Sequence, residues 1–563
     1  MVFASPTPAQ LHRSTSCRYL PTDTEWPSKG EWGRLNATIG GRLIRGLPLA
    51  QACHDPYLSS AVCANVQERW PTGSLYIENP VNVMSPYWLN NTCSPFSNAN
   101  ATCSLGNIAS YAININDAAT AAAGILFAKE KNIRLSIKNT GHDFLGRSSG
   151  KGSLALWTHN LKSISFTDYK SPVYKGPAVK LGAGVSAGEA LQAVTEKGFR
   201  ITVGYVPTVG LVGGFLQNGG YGPLGSSYGL GADNALEFEV VTTSGKHLTA
   251  SPTSNSDLYW ALSGGGSGNY ALVLSVTVKV HGDGPVAGAA FGFVNTNTDS
   301  FWAAIKAWYE RLLVLNSIPG FSTIFVYNSE LFLLVEATLP GGSKSDINTA
   351  IDPFLQKLKA LNLPVIGNKT TQNPTFSKHY YAYLPADIES AWPSNNSVGG
   401  QLLPRSVVQN NLTALISTYR QILEDDTVPE SQIGGASNNL THGSTGIPAN
   451  TNAILPAWRD SLCTASAGIR FSEAASVEDL QFYQAKVNEW QDLLRPLSPN
   501  NGAYINEATF DNPNWKSEYF GANYDRLLKV KKKYDPEFTL WQHASVGADI
   551  YWKEGEDGRL CRV

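Results

Sequence analysis

The chain has 563 residues, 42% of them hydrophobic, and a formal net charge of −2. A chain of that length buries enough core to fold without a metal or disulfide staple, and its charge balance leaves no polycationic surface for nucleic acid. No apolar run approaches the roughly eighteen residues that cross a bilayer, so no membrane partner is expected.

The first part of the chain is rich in cysteine: Cys17, Cys53, Cys63, Cys93 and Cys103 precede residue 104, and Cys463 and Cys561 follow far downstream. None has the C-x-x-C spacing of a zinc or thioredoxin-like site, so no metal is expected. Cys53/Cys63 and Cys93/Cys103 share one short separation, which suits local disulfide loops in an oxidising compartment, with one thiol left over. Asn-x-Ser/Thr acceptors stand at Asn36, Asn90, Asn100, Asn368, Asn395, Asn411 and Asn439. Together these features describe a secreted, glycosylated surface. The start, MVFASPTPAQ, lacks the apolar core of a signal peptide, which fits a mature chain whose leader was removed or replaced.

From about residue 83 the pattern becomes regular. An alanine-rich helix is predicted over Asp117 to Lys131, then a strand in which Ile133, Leu135 and Ile137 alternate with polar residues. The loop NTGHDFLGRSSG (Asn139 to Gly150) leads into the apolar strand SLALW. Ala178 to Ala183 reads as a strand, Ser186 and Glu189 form a capping box opening a helix, and Gly198 stops it. The most glycine-dense tract follows, Val203 to Asn234, and runs into LEFEVVTTSGKHLT, a hairpin turning at Ser244-Gly245. Trp260 to Tyr270 then leads into an alternating strand ending near His281. From about 283 the composition shifts to amphipathic helices, such as Ser300 to Val314 with Trp302 and Trp308, mixed with strands at Ser322 to Tyr327 and Leu331 to Thr338. After about 500, GAYINEATF reads as a strand and GANYDRLLKVKKKYDP as a helix carrying the longest basic run, Lys531 to Lys533.

Glycine-dense loops between strands and helices let backbone N–H groups converge on a phosphate, because a missing Cβ permits positive φ and close approach. Two such loops in one lobe suggest a dinucleotide. Neither fits the G-x-G-x-x-G fingerprint of a doubly wound fold. Gly225-Ser-Ser227-Tyr-Gly229 matches the G-x-S-x-G string of a hydrolase elbow, but that elbow needs a strand before and a helix after, and glycine-rich loop lies on both sides.

Three strings in order carry a resemblance: KNTGHDFLGRSSG (Lys138 to Gly150); PTVG through GGYG to YGLGADN (Pro207 to Asn234); and YDRL through Lys531 to YDP (Tyr524 to Pro536). With them the chain resembles the vanillyl-alcohol-oxidase superfamily, berberine-bridge-enzyme-like branch, and fungal members of isoamyl-alcohol-oxidase type. The likeness covers about 83 to 282 and 500 to 555. It implies an α+β fold: an N-terminal extension with disulfide loops (1–82), a two-subdomain PCMH-type FAD-binding lobe (83–282), an α+β substrate lobe with an antiparallel sheet (283–499), and a C-terminal segment returning to the FAD lobe (500–563).

The resemblance also implies FAD joined through its 8α-methyl to His142, with the pyrophosphate on the Asn139 to Gly146 loop. Implied FAD contacts in that loop are Asn139, Thr140, Gly141, Asp143, Gly146 and Ser148. In the glycine tract they are Val206, Pro207, Thr208, Val209, Gly210, Gly213, Gly214, Gly220, Tyr221, Gly222, Asp233 and Asn234, with Val240 and Asn523 beyond. Many relatives add a thioether from a cysteine just before Pro-Thr-Val-Gly. Here that residue is Val206, which has no nucleophile, so one covalent bond is expected.

The expected reaction is an oxidase's, with hydride passing from an alcohol or amine carbon and O₂ reduced to H₂O₂. The base in relatives is often a tyrosine in an Asn-Tyr pair. The matching string is Ala503-Tyr504-Ile505-Asn506-Glu507, so Glu507 stands where that tyrosine would, and Tyr504 and Glu507 are the catalytic candidates. On a regular strand Tyr504 and Asn506 share one face and Glu507 points to the other. Tyr111 and His442 are weaker pocket candidates, Tyr524 joins Asn523 on the flavin side, and Arg459 is read as structural. The partners expected are a small-molecule substrate and O₂, with the chain a monomer. A carbohydrate oxidase and a flavin-binding protein without efficient turnover are the alternatives.

Overall fold

The computed structural model describes residues 17–89, 92–384, 395–499 and 501–563. Four short strands, β1 (Leu43–Arg45), β2 (Tyr111–Asn114), β3 (Leu135–Lys138) and β4 (Leu154–Trp157), form a sheet in the order β1-β2-β4-β3. The β2–β4 and β3–β4 pairs are parallel and β1 adds antiparallel to the edge, so part of the 1–82 segment is built into this sheet rather than appended to it. The helix Ala118–Glu130 is started by Asp117, whose side chain accepts from Thr120 N. One glycine lets it lie close to the sheet: a Cβ at Gly124 would fall 2.7 Å from Ile113 and 2.8 Å from Leu156.

Next come β5 (Ile164–Lys170), β6 (Lys175–Gly182), β7 (Phe199–Arg200), β8 (Ala235–Thr242), β9 (His247–Ala250), β10 (Ala271–Lys279) and β11 (His281–Gly282). Five of them form an antiparallel sheet in the order β5-β6-β10-β8-β9, and β7 pairs with β11. The capping box of Ser186 and Glu189 opens the helix Ala187–Thr195, and Gly198 at φ +76° follows it. Ile125 and Ala128 of the first helix share one apolar cluster with Leu135 and Leu156 of the first sheet and Val241 and Leu272 of the second. That cluster joins the two halves.

The rest of the chain supplies β12 (Val286–Val294), β13 (Ser322–Tyr327), β14 (Leu331–Pro340), β15 (Val365–Asn373), β16 (Asn396–Pro404), β17 (Ser431–Ser437) and β18 (Ser461–Arg470). They make a seven-stranded antiparallel sheet in the order β15-β12-β14-β13-β17-β18-β16. Helix Thr298–Leu315 packs Trp308 and Tyr309 against it, with Phe325 and Phe332 in the same core. Helix Tyr524–Tyr534 comes back to the first half, where buried Lys531 pairs with Asp535 and donates to the carbonyls of Asn269 and Leu540. The run Lys531 to Lys533 therefore begins inside the protein, not on a basic surface. No helix among the described residues is long and apolar enough to cross a membrane.

Cys53–Cys63 and Cys93–Cys103 are bonded, Cys17 meets Cys561 across 544 positions, and Cys463 is the buried free thiol. The segment read as a strand at GAYINEATF is not one. Ile505–Glu507 is a 3₁₀ turn, with Glu507 N bonded to Tyr504 O. Its N-terminal flank is held by distant backbone groups: Ala503 N donates to Glu518 O, and Gly502 O accepts from Leu402 N. These tertiary bonds override the short alternation.

The acceptor asparagines separate by exposure. Asn100, Asn368 and Asn411 are exposed, whereas Asn395 is buried and its amide donates to Phe471 O. Asn439 is held by Asn316 O, and Asn36 accepts from Leu43 N. Asn90 lies outside the described residues.

Gly146 tests the loop that follows β3. Its φ is +66°, and a Cβ there would sit 2.4 Å from the Trp88 ring. Gly146→Ala is expected to cost about 1–3 kcal/mol of stability, through strain and displacement of the indole, as read by urea unfolding.

Candidate functional site

A single cavity gathers the first glycine loop, the second glycine tract and the 3₁₀ turn near residue 505. The first loop is stiffened from inside. Asp143 accepts from Leu145 N at 3.1 Å and Ser148 N at 2.6 Å, Gly141 takes φ +96°, and its carbonyl accepts from Met84 N. Asn139 Nδ2 donates to Ala183 O at 2.7 Å. The second tract closes over Asn139 because it has no side chain where they meet: a Cβ on Gly210 would come 2.4 Å from Asn139 Nδ2, and one on Gly213 would come 3.2 Å from it.

His142 lies in the cavity wall with Nε2 2.9 Å from Thr208 Oγ1. Burial, then the nearby Lys138 ammonium, lowers its pKa to about 4, so the imidazole is neutral at physiological pH. Lys138 is fully buried, donating to Tyr76 O and Asn139 O, and burial brings it down to about 7.

At the other end the 3₁₀ turn puts Tyr504, Asn506 and Glu507 into one cavity, which a strand would not have done. Tyr221 OH donates to Glu507 Oε1 at 2.7 Å and Ser466 Oγ to Oε2 at 3.3 Å. Glu507 keeps part of its surface open to the cavity, yet protein crowds its carboxyl enough that desolvation raises its pKa to about 7, against those two hydrogen bonds. Asn506 Nδ2 donates to the Tyr504 hydroxyl at 2.6 Å and to Gly214 O at 3.0 Å. Burial pushes Tyr504 and Tyr221 well above 10, so both phenols stay protonated. Tyr221, Tyr504 and Trp458 pack edge-on or tilted around this end, with centroids 5.3 to 5.8 Å apart.

Of the residues implied by resemblance, Asn139, Thr140, Gly141, His142, Asp143, Ser148, Val206, Val209, Gly210, Gly213, Gly214, Tyr221, Tyr504 and Glu507 line the cavity. Thr208 reaches it through His142, and Pro207 sits beside Gly188 in the turn behind. The others stand elsewhere. Gly146 packs on Trp88, while Gly220 and Gly222 serve close backbone contacts with Phe215 and Val203. Asp233 is consumed by a two-bond pair with Arg459 and by Asn452. Asn234 holds Thr202, Tyr228 O and Leu230 O, and Val240 is a core residue of β8 opposite Val273. Asn523 caps the carbonyls of Ala453 and Ile454, and Tyr524 OH accepts from Gly547 N. Tyr111 stacks on Trp32, and His442 is exposed with Nδ1 at Ile447 O.

Four buried polar atoms on the cavity-lining residues have no protein partner: Asn139 Oδ1, Arg147 Nη1, Tyr205 OH and Gln217 Oε1. Buried groups of this kind are costly unless a ligand completes them. With the glycine cradle around Asn139, they fit a large polar cofactor that brings both donors and acceptors. Sequence reading missed Arg147, Tyr205, Gln217 and Gln542. Arg147 lay within the first string, whereas Gln542, which meets it at 3.1 Å, is 395 positions away.

A FAD binding domain matches residues 109–251, and a berberine and berberine-like domain matches 503–547. A VAO-type flavoprotein oxidase of Thermothelomyces thermophilus is 39% identical, over 98% of this chain and 96% of its own length. The FAD-linked oxidoreductase patO of Aspergillus clavatus is 37% identical, over 98% of this chain and 95% of its length. The crystal structure of a VAO-type flavoprotein from Myceliophthora thermophila superposes with a TM-score of 0.90 at 36% identity, covering 97% of this chain and 100% of that one. The fold and cavity are those of a flavin-binding oxidoreductase. The chain belongs to the VAO and berberine-bridge-enzyme-like family of FAD-linked oxidoreductases.

Proposed function

We propose that this enzyme is a secreted oxidase that removes hydride from an alcohol or amine carbon while Glu507 takes the hydroxyl or ammonium proton. Its cofactor is tethered through His142 alone, and O₂ ends as H₂O₂. Residues 83–282 with 500–563 form the FAD lobe and 283–499 the substrate lobe. The observation that carries this reading is the placement of the Glu507 carboxyl in the wall of the FAD cavity, hydrogen-bonded by Tyr221 and Ser466, where desolvation raises its pKa to about 7.

Bound FAD supplies the two-electron acceptor. The glycine cradle around Asn139, Gly210 and Gly213 would hold it, with His142 as the point of attachment. Thr208 engages Nε2, so Nδ1 of the neutral ring would be the nitrogen free to carry the link. Val206 offers no second attachment.

On the substrate side, Tyr504 accepts from Asn506 and keeps its own O–H to donate to a substrate oxygen. Glu507, in its ionised form, which predominates above about pH 7, takes the proton as C–H electrons leave, so an alcohol becomes a carbonyl compound. The cavity lining includes the apolar side chains of Phe215 and Ile324, which suit an aromatic or aliphatic alcohol better than an oligosaccharide.

A panel of primary alcohols, phenolic alcohols, amines and sugars, scored by anaerobic bleaching of the yellow colour and by H₂O₂ on readmission of air, tests the reading. Bleaching by an alcohol or amine with H₂O₂ in equal amount is expected. Bleaching by sugars alone would replace the substrate class, and bleaching without H₂O₂ would make the enzyme a dehydrogenase. For secretion, glycan mapping of the protein from its eukaryotic host is expected to find occupancy at Asn100, Asn368 and Asn411 and none at buried Asn395.

A further inference from the structure

Asn218 is a buried amide that the reaction scheme leaves unused. It stands between two residues of the cavity wall, Ser267 and Asn506. Ser267 N donates to Asn218 Oδ1 at 2.8 Å, while Asn218 Nδ2 donates to Asn506 Oδ1 and, at 3.2 Å, to Ser267 Oγ. A second bond, from Gly266 N to Gln217 O at 3.0 Å, ties the Ser267 loop to the same stretch of chain. Asn506 Nδ2 then donates to Gly214 O at 3.0 Å and to the Tyr504 hydroxyl at 2.6 Å.

This chain of bonds has one direction. A carboxamide can turn over at little cost unless its partners distinguish oxygen from nitrogen, and the backbone groups at both ends do so. A backbone N–H only donates, so Ser267 holds the oxygen of Asn218 on its own side and turns the amide nitrogen toward Asn506. A backbone carbonyl only accepts, so Gly214 holds the nitrogen of Asn506 on its own side and leaves the oxygen for Asn218. Turning either amide alone would set oxygen against oxygen and N–H against N–H. Turning both would still oppose Ser267 N–H and the Gly214 carbonyl. The Tyr504 hydroxyl is therefore obliged to accept from Asn506, and its own proton, which burial keeps on the phenol, is left for another acceptor.

We propose that Asn218 is a positioning residue of the reaction: by fixing which way the Asn506 amide faces, it makes the Tyr504 phenol a donor to the substrate oxygen. This rests on the proposed role of Tyr504, and it is independent of the His142 link and of the fate of O₂. Without the Asn218 N–H, the Asn506 oxygen is free to turn toward Tyr504 and take the proton meant for the substrate.

The test is a double-mutant cycle on holoprotein: wild type, Asn218→Asp, Tyr504→Phe and the two combined, with FAD content measured for each. The readout is the limiting rate of anaerobic flavin reduction at pH 8 by the panel alcohol that bleaches wild type fastest. Asn218→Asp keeps an acceptor for Ser267 N and removes the donor to Asn506; Asn218→Leu removes both at similar size and gives the same reading if Asn218→Asp does not hold FAD. Tyr504→Phe and Asn218→Asp are each expected to lower the limiting rate roughly tenfold or more, the effect of losing one donor at the reacting oxygen. Because Asn218 acts through Tyr504, the combined variant is expected to match Tyr504→Phe within about twofold, whereas unrelated structural damage would multiply. Wild-type rates in both Asn218 variants would overturn the proposal. So would effects that multiply in the combined variant, a raised half-saturation with an unchanged limiting rate, or loss of FAD from both Asn218 variants. Failure of every alcohol to bleach wild type would instead remove the alcohol-oxidase reading itself.

Discussion

Replacing Glu507 by Gln is expected to slow anaerobic flavin reduction by about 10²-fold or more. The wild-type rate with a saturating alcohol should rise with pH and level off above about 7, because the carboxylate is the active form and burial holds its pKa there. Below that value it falls about tenfold per pH unit, whereas the glutamine variant has no such limb. Stability moves the other way. A carboxyl with a folded pKa above its unfolded one favours the folded state most when protonated, so wild type loses this contribution as pH rises from the ordinary carboxylate range through about 7. At pH 8 the variant should therefore be at least as stable as wild type by urea unfolding, which separates loss of a base from loss of fold. A variant that reduces its flavin at the wild-type rate would remove Glu507 from the mechanism.

His142→Ala is expected to abolish covalent attachment completely. After acid precipitation all of the yellow colour of the variant should enter the supernatant, where wild type keeps its colour in the pellet. The cradle formed by Asn139, Gly210 and Gly213 is untouched, so the variant should still bind FAD reversibly. The imidazole must be neutral to act as a nucleophile, and burial with the Lys138 charge keeps it so well below pH 7. Attachment in wild type should consequently proceed even at pH 5, where an ordinary histidine is mostly protonated. Retained covalent flavin in His142→Ala would place the bond on another residue.

Much of the local structure was legible because local chemistry decides it. Asp117 before an alanine-rich run, Ser186 with Glu189, and Ser244-Gly245 between alternating residues each specify an end or a turn through hydrogen bonds within a few positions. The 503–510 segment was misread for the opposite reason. Its alternation is short, and carbonyls from Glu518 and backbone from Leu402 hold it as a turn. That change decides the site, since it brings Tyr504 and Glu507 into one cavity. Asp233 shows a second limit: within its motif it looks like a cofactor contact, but its carboxylate belongs to Arg459, 226 positions later. Arg147 with Gln542 and Cys17 with Cys561 are likewise pairs that spacing does not reveal.

The link between cofactor and chain is tested most directly by mass spectrometry of trypsin-digested holoprotein. The fragment Asn139 to Arg147 should carry the mass of one flavin on its histidine, and the fragment containing Val206 should be unmodified. An unmodified Asn139 to Arg147 fragment from yellow protein, or a flavin on the Val206 fragment, would contradict the account.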